Sequence, residues 1–120
     1  MSTFAKLLVA DMARSVGFYT ALGFSIAHQD DVFTQLRLGE AELWLVRTPP
    51  GRGLEGARGL GVLVCFRADT PGVDSLAEKA RALGAPVAGP VDQPWHTREI
   101  IVTDPDGYRV NFLQSSWGDA

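Results

Sequence analysis

The sequence predicts an α+β chain built from a duplicated βαβββ module, and three observations lead there. Residues 7–24 (LLVADMARSVGFYTALGF) and 63–85 (LVCFRADTPGVDSLAEKARALGA) share one order: an apolar run, an Asp at its end, an amphipathic stretch, and Ala-Leu-Gly closing it. Segments that alternate apolar and polar residues follow each copy, and a Pro/Gly-rich stretch separates the two. Asp11 and Asp69 lie 58 positions apart, whereas Gly23 and Gly84 lie 61 apart, which places about three extra residues near Thr70-Pro71-Gly72. A repeat of this size is one supersecondary unit, too small to bury its apolar face alone.

Residues 2–9 are mostly apolar and read as a strand, after which Asp11 stands where an N-cap accepts the first free amide hydrogens of a helix. Met12, Val16, Tyr19 and Leu22 recur at spacings of three and four, and Gly23 supplies the left-handed residue that ends the helix. Gly17 costs this helix ~1 kcal/mol relative to Ala, so the helix must rely on packing. The next strand begins over 24–28; residues 32–38 alternate, and residues 41–46 alternate again beyond the turn Gly39-Glu40, giving an antiparallel meander. Residues 47–59, dense in Pro, Gly and Arg, read as the linker.

The second copy repeats the order. A strand over 60–66 leads to a helix from Val73 with Leu76, Ala77, Ala80 and Leu83 on one face and Gly84 as its stop. Val87, bounded by Pro86 and Gly89-Pro90, predicts a short or edge strand. Residues 99–103 form a strand, Asp104 and Asp106 shape the DPDG turn, residues 108–114 form the last strand, and 115–120 are a frayed tail. The expected organisation is thus a single domain with modules at 1–46 and 60–114.

Composition narrows the function. With 120 residues and 46% hydrophobic content a single core is expected. The net charge of −3, from 14 acidic and 11 basic residues with no basic block, lacks the electrostatic footprint of nucleic-acid binding. No window approaches ~18 uninterrupted apolar residues, and no basic flank, apolar run and cleavage site open the sequence, so no membrane contact and a cytoplasmic location are expected. Cys65, the lone cysteine, lies in VLVCF, where a small apolar side chain suits a strand; no polarising partner adjoins it.

The phrase DMARSVGFYTALGF and the segment WHTREIIVTDPDGYRVNFLQ resemble the vicinal oxygen chelate superfamily, which contains glyoxalases, fosfomycin-modifying enzymes, extradiol dioxygenases and bleomycin-resistance proteins. The resemblance runs from about Phe4 to Gln114. Pro94-Trp95, then Arg98-Glu99, then DPDG look most like the bleomycin-resistance branch. The resemblance implies strand sets curved into half-barrels around a cleft and a symmetric homodimer. It also implies that metal-dependent members draw ligands from the first and last strands of each module.

In the family pattern those positions fall on Phe4, Trp44, Val62 and Asn111. Divalent metals need imidazole nitrogens and carboxylate oxygens, because only lone pairs bind the ion. These four side chains do not supply them, and sliding each strand by one residue offers only Ala5, Leu43, Leu63 and Val110. No metal or other cofactor is therefore expected.

Side chains alternate along a strand, so the cleft parity that includes Phe4 also takes Lys6 and Leu8. By the same count it takes Phe33, Gln35 and Arg37; Glu42, Trp44 and Val46; Val62, Val64 and Phe66; and Arg109, Asn111 and Leu113. This lining of aromatics with a few polar groups suits a small molecule. Trp95 and His96, on the loop before a strand, either stack on a ligand or merely cover the barrel edge, and Phe4, Phe33 and Phe66 either line the cleft or fill it as core. His28 is expected to be exposed at a strand end.

The leading reading is a metal-free binding protein of the bleomycin-resistance type. It would hold an aromatic or antibiotic-like ligand with Phe4, Lys6, Phe33, Arg37, Trp44, Phe66, Trp95, His96, Arg109 and Asn111. The alternative is a metal-dependent glyoxalase-like lyase or isomerase, or a dioxygenase, which needs three donors converging from His28, His96, Glu42, Glu99 and Asn111. A third is an interaction domain whose cleft its own side chains close.

Overall fold

A computed structural model describes residues 3–48, 56 and 61–116. The chain divides into two compact units, residues 1–57 and 58–120, each a four-stranded mixed sheet backed by one helix. The first contains β1 (Ala5–Val9), α1 (Met12–Leu22), β2 (Ser25–Gln29), β3 (Phe33–Leu38) and β4 (Ala41–Arg47). The second contains β5 (Val64–Arg67), α2 (Val73–Ala82), β6 (Val87–Gln93), β7 (Thr97–Thr103) and β8 (Arg109–Ser115). The sheet orders are β1-β4-β3-β2 and β5-β8-β7-β6, with the first pair of each parallel and the others antiparallel. The α+β class and the repeated βαβββ order are as the sequence predicts. Most of the linker and the last four residues of the tail lie outside the described residues, and Ser115, expected in the tail, instead closes β8.

α1 forms for the reasons its sequence gives. The Asp11 side chain accepts from the Arg14 amide, and Gly23 takes φ 116° at the C-terminus, its own amide returning to Thr20 O. Met12, Val16, Tyr19 and Leu22 are buried, joined by Ser15 and Phe18. α1 packs on β3 and β4, and Leu7 and Val9 of β1, Leu36 of β3, and Leu43 and Leu45 of β4 are all buried. Gly17 is exposed, and a Cβ built on it meets nothing within 4 Å. Gly17→Ala should therefore stabilise the protein by about 1 kcal/mol, read as a higher denaturation midpoint at unchanged slope.

α2 departs from α1 at its start and from the expectation at its end. Its N-cap is Gly72, which makes no side-chain capping bond, and Asp69, the counterpart of Asp11 in the repeat, accepts from the Ser115 amide. Leu83, expected on the buried face, is its exposed C-cap; Val73, Leu76, Ala77 and Ala80 make the contact. Laying the core pair Leu7–Leu45 on its counterpart Phe66–Phe112 matches the strands at an offset of 59, one more than the Asp11–Asp69 alignment implies. A one-residue slip turns every side chain of a strand to the other face. Phe66 is accordingly buried and stacks on Phe112 with ring centroids 5.8 Å apart, so it belongs to the core and not to a binding face.

Strand β6 lies at a sheet edge, as its prolines require, but runs seven residues rather than being short. A register shift between Ala88 and Val91 accommodates Gly89-Pro90, so no ladder bond is demanded of the proline nitrogen.

One core position stands out. Thr34 of β3 is fully buried, and its hydroxyl has no hydrogen-bond partner among the described residues. The register places it opposite Leu45, where the second unit has Ile100 opposite Phe112. An orphaned buried hydroxyl costs about 1–3 kcal/mol, so Thr34→Val should raise the unfolding free energy by about 1 kcal/mol in chemical denaturation.

Candidate functional site

With Leu43 and Leu45 turned into the core, Trp44 between them must emerge on the opposite face of the first sheet, and it does so half-buried. Three rings join it. Phe4 lies 4.7 Å from Trp44 between centroids at 32° between planes, Phe33 lies 4.4 Å from Trp44 at 33°, and His28 lies 5.2 Å from Phe33 at 33°. The row Phe4, Trp44, Phe33, His28 thus crosses the sheet through diagonal neighbours, which long aromatic side chains can reach. Rings so near parallel at such short spacing cannot lie side by side in one plane. They pack tilted against one another.

Polar groups fix this row. The Trp44 indole N–H donates to the Glu42 carboxylate two residues earlier on the same strand. The Lys6 ammonium sits 5.6 Å from the indole centroid, a cation–π distance. At the far end His28 Nε2 lies 2.9 Å from Asp30 Oδ2, while Asp30 Oδ1 accepts from the amides of Val32 at 2.9 Å and Phe33 at 2.8 Å. Arg37 is exposed and lies across from Glu42 in register.

The contact with His28, reinforced by the Phe33 and Val32 amides, pulls the Asp30 carboxyl down to about 2. Its ordinary value is about 3.9. A carboxyl whose folded pKa is depressed adds stability above its unfolded pKa, and that contribution is lost as pH falls through the folded value. Between about pH 4 and 2 the wild type should therefore lose more thermal stability than Asp30→Asn, measured by melting both at pH 6 and pH 2.5.

The matching face of the second sheet is not aromatic. Cys65 pairs with Asn111, and its thiol donates to Asn111 Oδ1 at 3.4 Å; Asn111 Nδ2 donates to Ile100 O at 3.0 Å. The Glu99 carboxylate accepts from the Thr97 hydroxyl and, at 3.0 Å, from the Trp95 indole N–H. The Thr97 contact, with Trp95 and Asn111 adding to it, holds Glu99 below the usual carboxylate range despite partial burial. Burial, with the Glu99 charge adding, pushes the Cys65 thiol up, away from nucleophilic reactivity.

The proposed residues therefore fall into two sets. Phe4, Lys6, Phe33, Arg37 and Trp44 share one face of the first unit. Asn111 and Arg109 lie on β8 of the second unit, and Trp95 and His96 lie on the hairpin turn between β6 and β7. Trp95 is 60% exposed. His96 adopts φ 66°, its amide donates to Gln93 O, and its carbonyl accepts from Ser116 N. Asp104 is a turn former: its Oδ1 accepts from the amides of Asp106 and Tyr108, both at 2.9 Å.

His28 was placed by the sequence only at an exposed strand end. A register shift between Ile26 and His28 pairs Ile26 with Leu36 but His28 with Gln35. That bulge moves the imidazole to the Phe33 face, and nothing in the residue pattern of 24–29 announces it.

The family positions for metal ligands do not fit an ion. After the register correction they are occupied by Phe4, Trp44, Leu63 and Asn111: two aromatics, an aliphatic and an amide. Three of the five donors of the alternative reading are engaged by neighbours in their own unit. His28 is tied to Asp30, Glu42 to Trp44, and Glu99 to Thr97 and Trp95. Among the described residues no group of three or more His, Cys, Asp or Glu side chains is placed to hold a metal ion. No helix among them is long and apolar enough to cross a membrane.

The Glyoxalase/Bleomycin resistance protein/Dioxygenase superfamily profile matches residues 3–112. A bleomycin resistance protein of Geobacillus stearothermophilus is 30% identical, the match covering 95% of this chain and 96% of the relative. Among solved structures, a bleomycin-binding protein complexed with bleomycin superposes with a TM-score of 0.71 at 22% identity, over 96% of this chain and 98% of that one. An antibiotic binding protein from a Streptomyces species superposes with a TM-score of 0.69 at 26% identity, over 97% of this chain and 98% of the other.

Proposed function

The chain belongs to the glyoxalase/bleomycin resistance protein/dioxygenase superfamily, and from that premise we propose that it is a metal-free binding protein that sequesters a planar, antibiotic-like aromatic molecule. The observation that carries this reading is the row Phe4, Trp44, Phe33, His28 on the face of the first sheet away from α1. Such rings present a large apolar surface, and ring contacts contribute about 0.5–1.5 kcal/mol per pair beyond burial. The similarity to bleomycin resistance proteins supports an antibiotic as the ligand class. The aromatic and aliphatic residues at the family's ligand positions support a role without metal, since they offer no lone pairs to an ion.

Tryptophan fluorescence tests the reading. Titration with bleomycin and a panel of planar aromatic antibiotics should change the emission of the wild type, and Trp44→Phe should remove most of the change. Absence of any response across the panel would sink the proposal. So would one transition metal per chain in protein purified without chelator. A symmetric homodimer belongs to the same proposal, and light scattering at micromolar concentration should give twice the chain mass.

A further inference from the structure

Trp44 is flanked on both sides of its strand: β4 lies between β3 and β1, and Phe33 approaches the indole from the β3 side at 4.4 Å and Phe4 from the β1 side at 4.7 Å. A ligand ring can take either of these flanking places only when the residue there leaves. The two neighbours are held very differently. Phe33 is the first residue of β3, an inner strand paired on both sides; its partner in β4 is Val46, and its amide is bound by Asp30. Phe4 precedes β1, outside the β1–β4 register that begins at Ala5, on the outer strand of the sheet, and is 42% exposed. Among the described residues its ring contact is the one with Trp44.

We infer that Phe4 is a stand-in for the ligand: it fills a one-ring slot beside Trp44 on the β1 side and swings out when a planar group takes its place. This rests on the aromatic-binding reading above and adds to it the position, the mode of entry and the chemistry of the bound group. Lys6, the register partner of Trp44, holds its ammonium 5.6 Å from the indole centroid. The Glu42 carboxylate is committed to the indole N–H. The slot therefore selects a planar ring bearing a carboxylate or phenolate, which pairs with Lys6 as it covers the indole.

The affinity of the site is set against a competitor carried by the chain itself, so removing the competitor should tighten binding. In calorimetric titrations with 2-naphthoate, Phe4→Ala should bind about three- to tenfold more tightly than wild type, the range that one lost ring pair supports. Lys6→Met should lose the preference for 2-naphthoate over 2-naphthylmethylammonium. In the wild type at saturation, the Phe4 ring proton resonances should lose the ring-current shift that the indole imposes. Weaker or unchanged binding by Phe4→Ala, or Phe4 resonances that do not move, would overturn the slot, because Phe4 would then be a wall of the site. If aromatic antibiotics still alter Trp44 emission in that case, the binding-protein reading stands and the slot alone falls. If neither the antibiotics nor 2-naphthoate binds the wild type or Phe4→Ala, both fall.

Discussion

Replacing Trp44 with alanine should weaken binding of a planar aromatic antibiotic by about 10- to 100-fold, the range of a central aromatic anchor. Trp44 is the ring that Phe4, Phe33 and Lys6 all share, so its loss removes the contact surface and also the group that orients its neighbours. The fold should survive. Trp44 points away from the α1 core, while Leu43 and Leu45 on either side carry the burial. The check is a pair of measurements on one variant: a calorimetric titration that loses affinity, and a thermal melt that stays within a few degrees of wild type. A variant that keeps its affinity would show that the row is packing and not a site.

Phe112→Ala should do the opposite, destabilising the protein by about 3–5 kcal/mol, as truncations of buried aromatics do. Phe112 is fully buried at the centre of β8, which pairs with β5 on one side and β7 on the other. Its ring stacks on Phe66, so truncation removes one half of a buried aromatic pair. Phe66→Ala should cost a comparable amount and leave 2-naphthoate binding unaltered. Chemical denaturation reads the first effect and calorimetry the second. Loss of ligand affinity in Phe66→Ala at unchanged stability would show that the core assignment is wrong.

These two residues mark what the sequence made legible. On β4 the reading succeeds because Leu43 and Leu45 flank Trp44 in a strand of clear alternation, so parity alone assigns the faces. On β5 it fails at Phe66 because the same count was carried back from Asp69 as from Asp11, an offset of 58, whereas the strands match at 59. The second helix is capped by Gly72, and Asp69 binds the Ser115 amide instead. Three apolar residues in VLVCF fit either face, so no pattern corrected the slip. Bulges hide in the same way. The shift between Ile26 and His28 brings an imidazole into line with three aromatic rings that the sequence keeps apart. The tilted packing of Phe4, Trp44 and Phe33 depends on diagonal reach between strands, which alternation within one strand cannot show.

The duplicated sheets invite a last comparison. Facing the helices, Leu7, Val9, Leu36, Leu43 and Leu45 answer to Phe66, Ala68, Val102, Val110 and Phe112, all of them apolar and buried. On the other side Trp44 answers to Asn111, Phe33 to Glu99 and Lys6 to Cys65. Packing holds one surface of each sheet greasy and leaves its reverse unconstrained by the helix, so the two halves of one repeated plan carry a ring-lined face in one copy and a hydrogen-bonded carboxylate in the other. Chemistry can thus be rewritten on either reverse side without disturbing the helix beneath it.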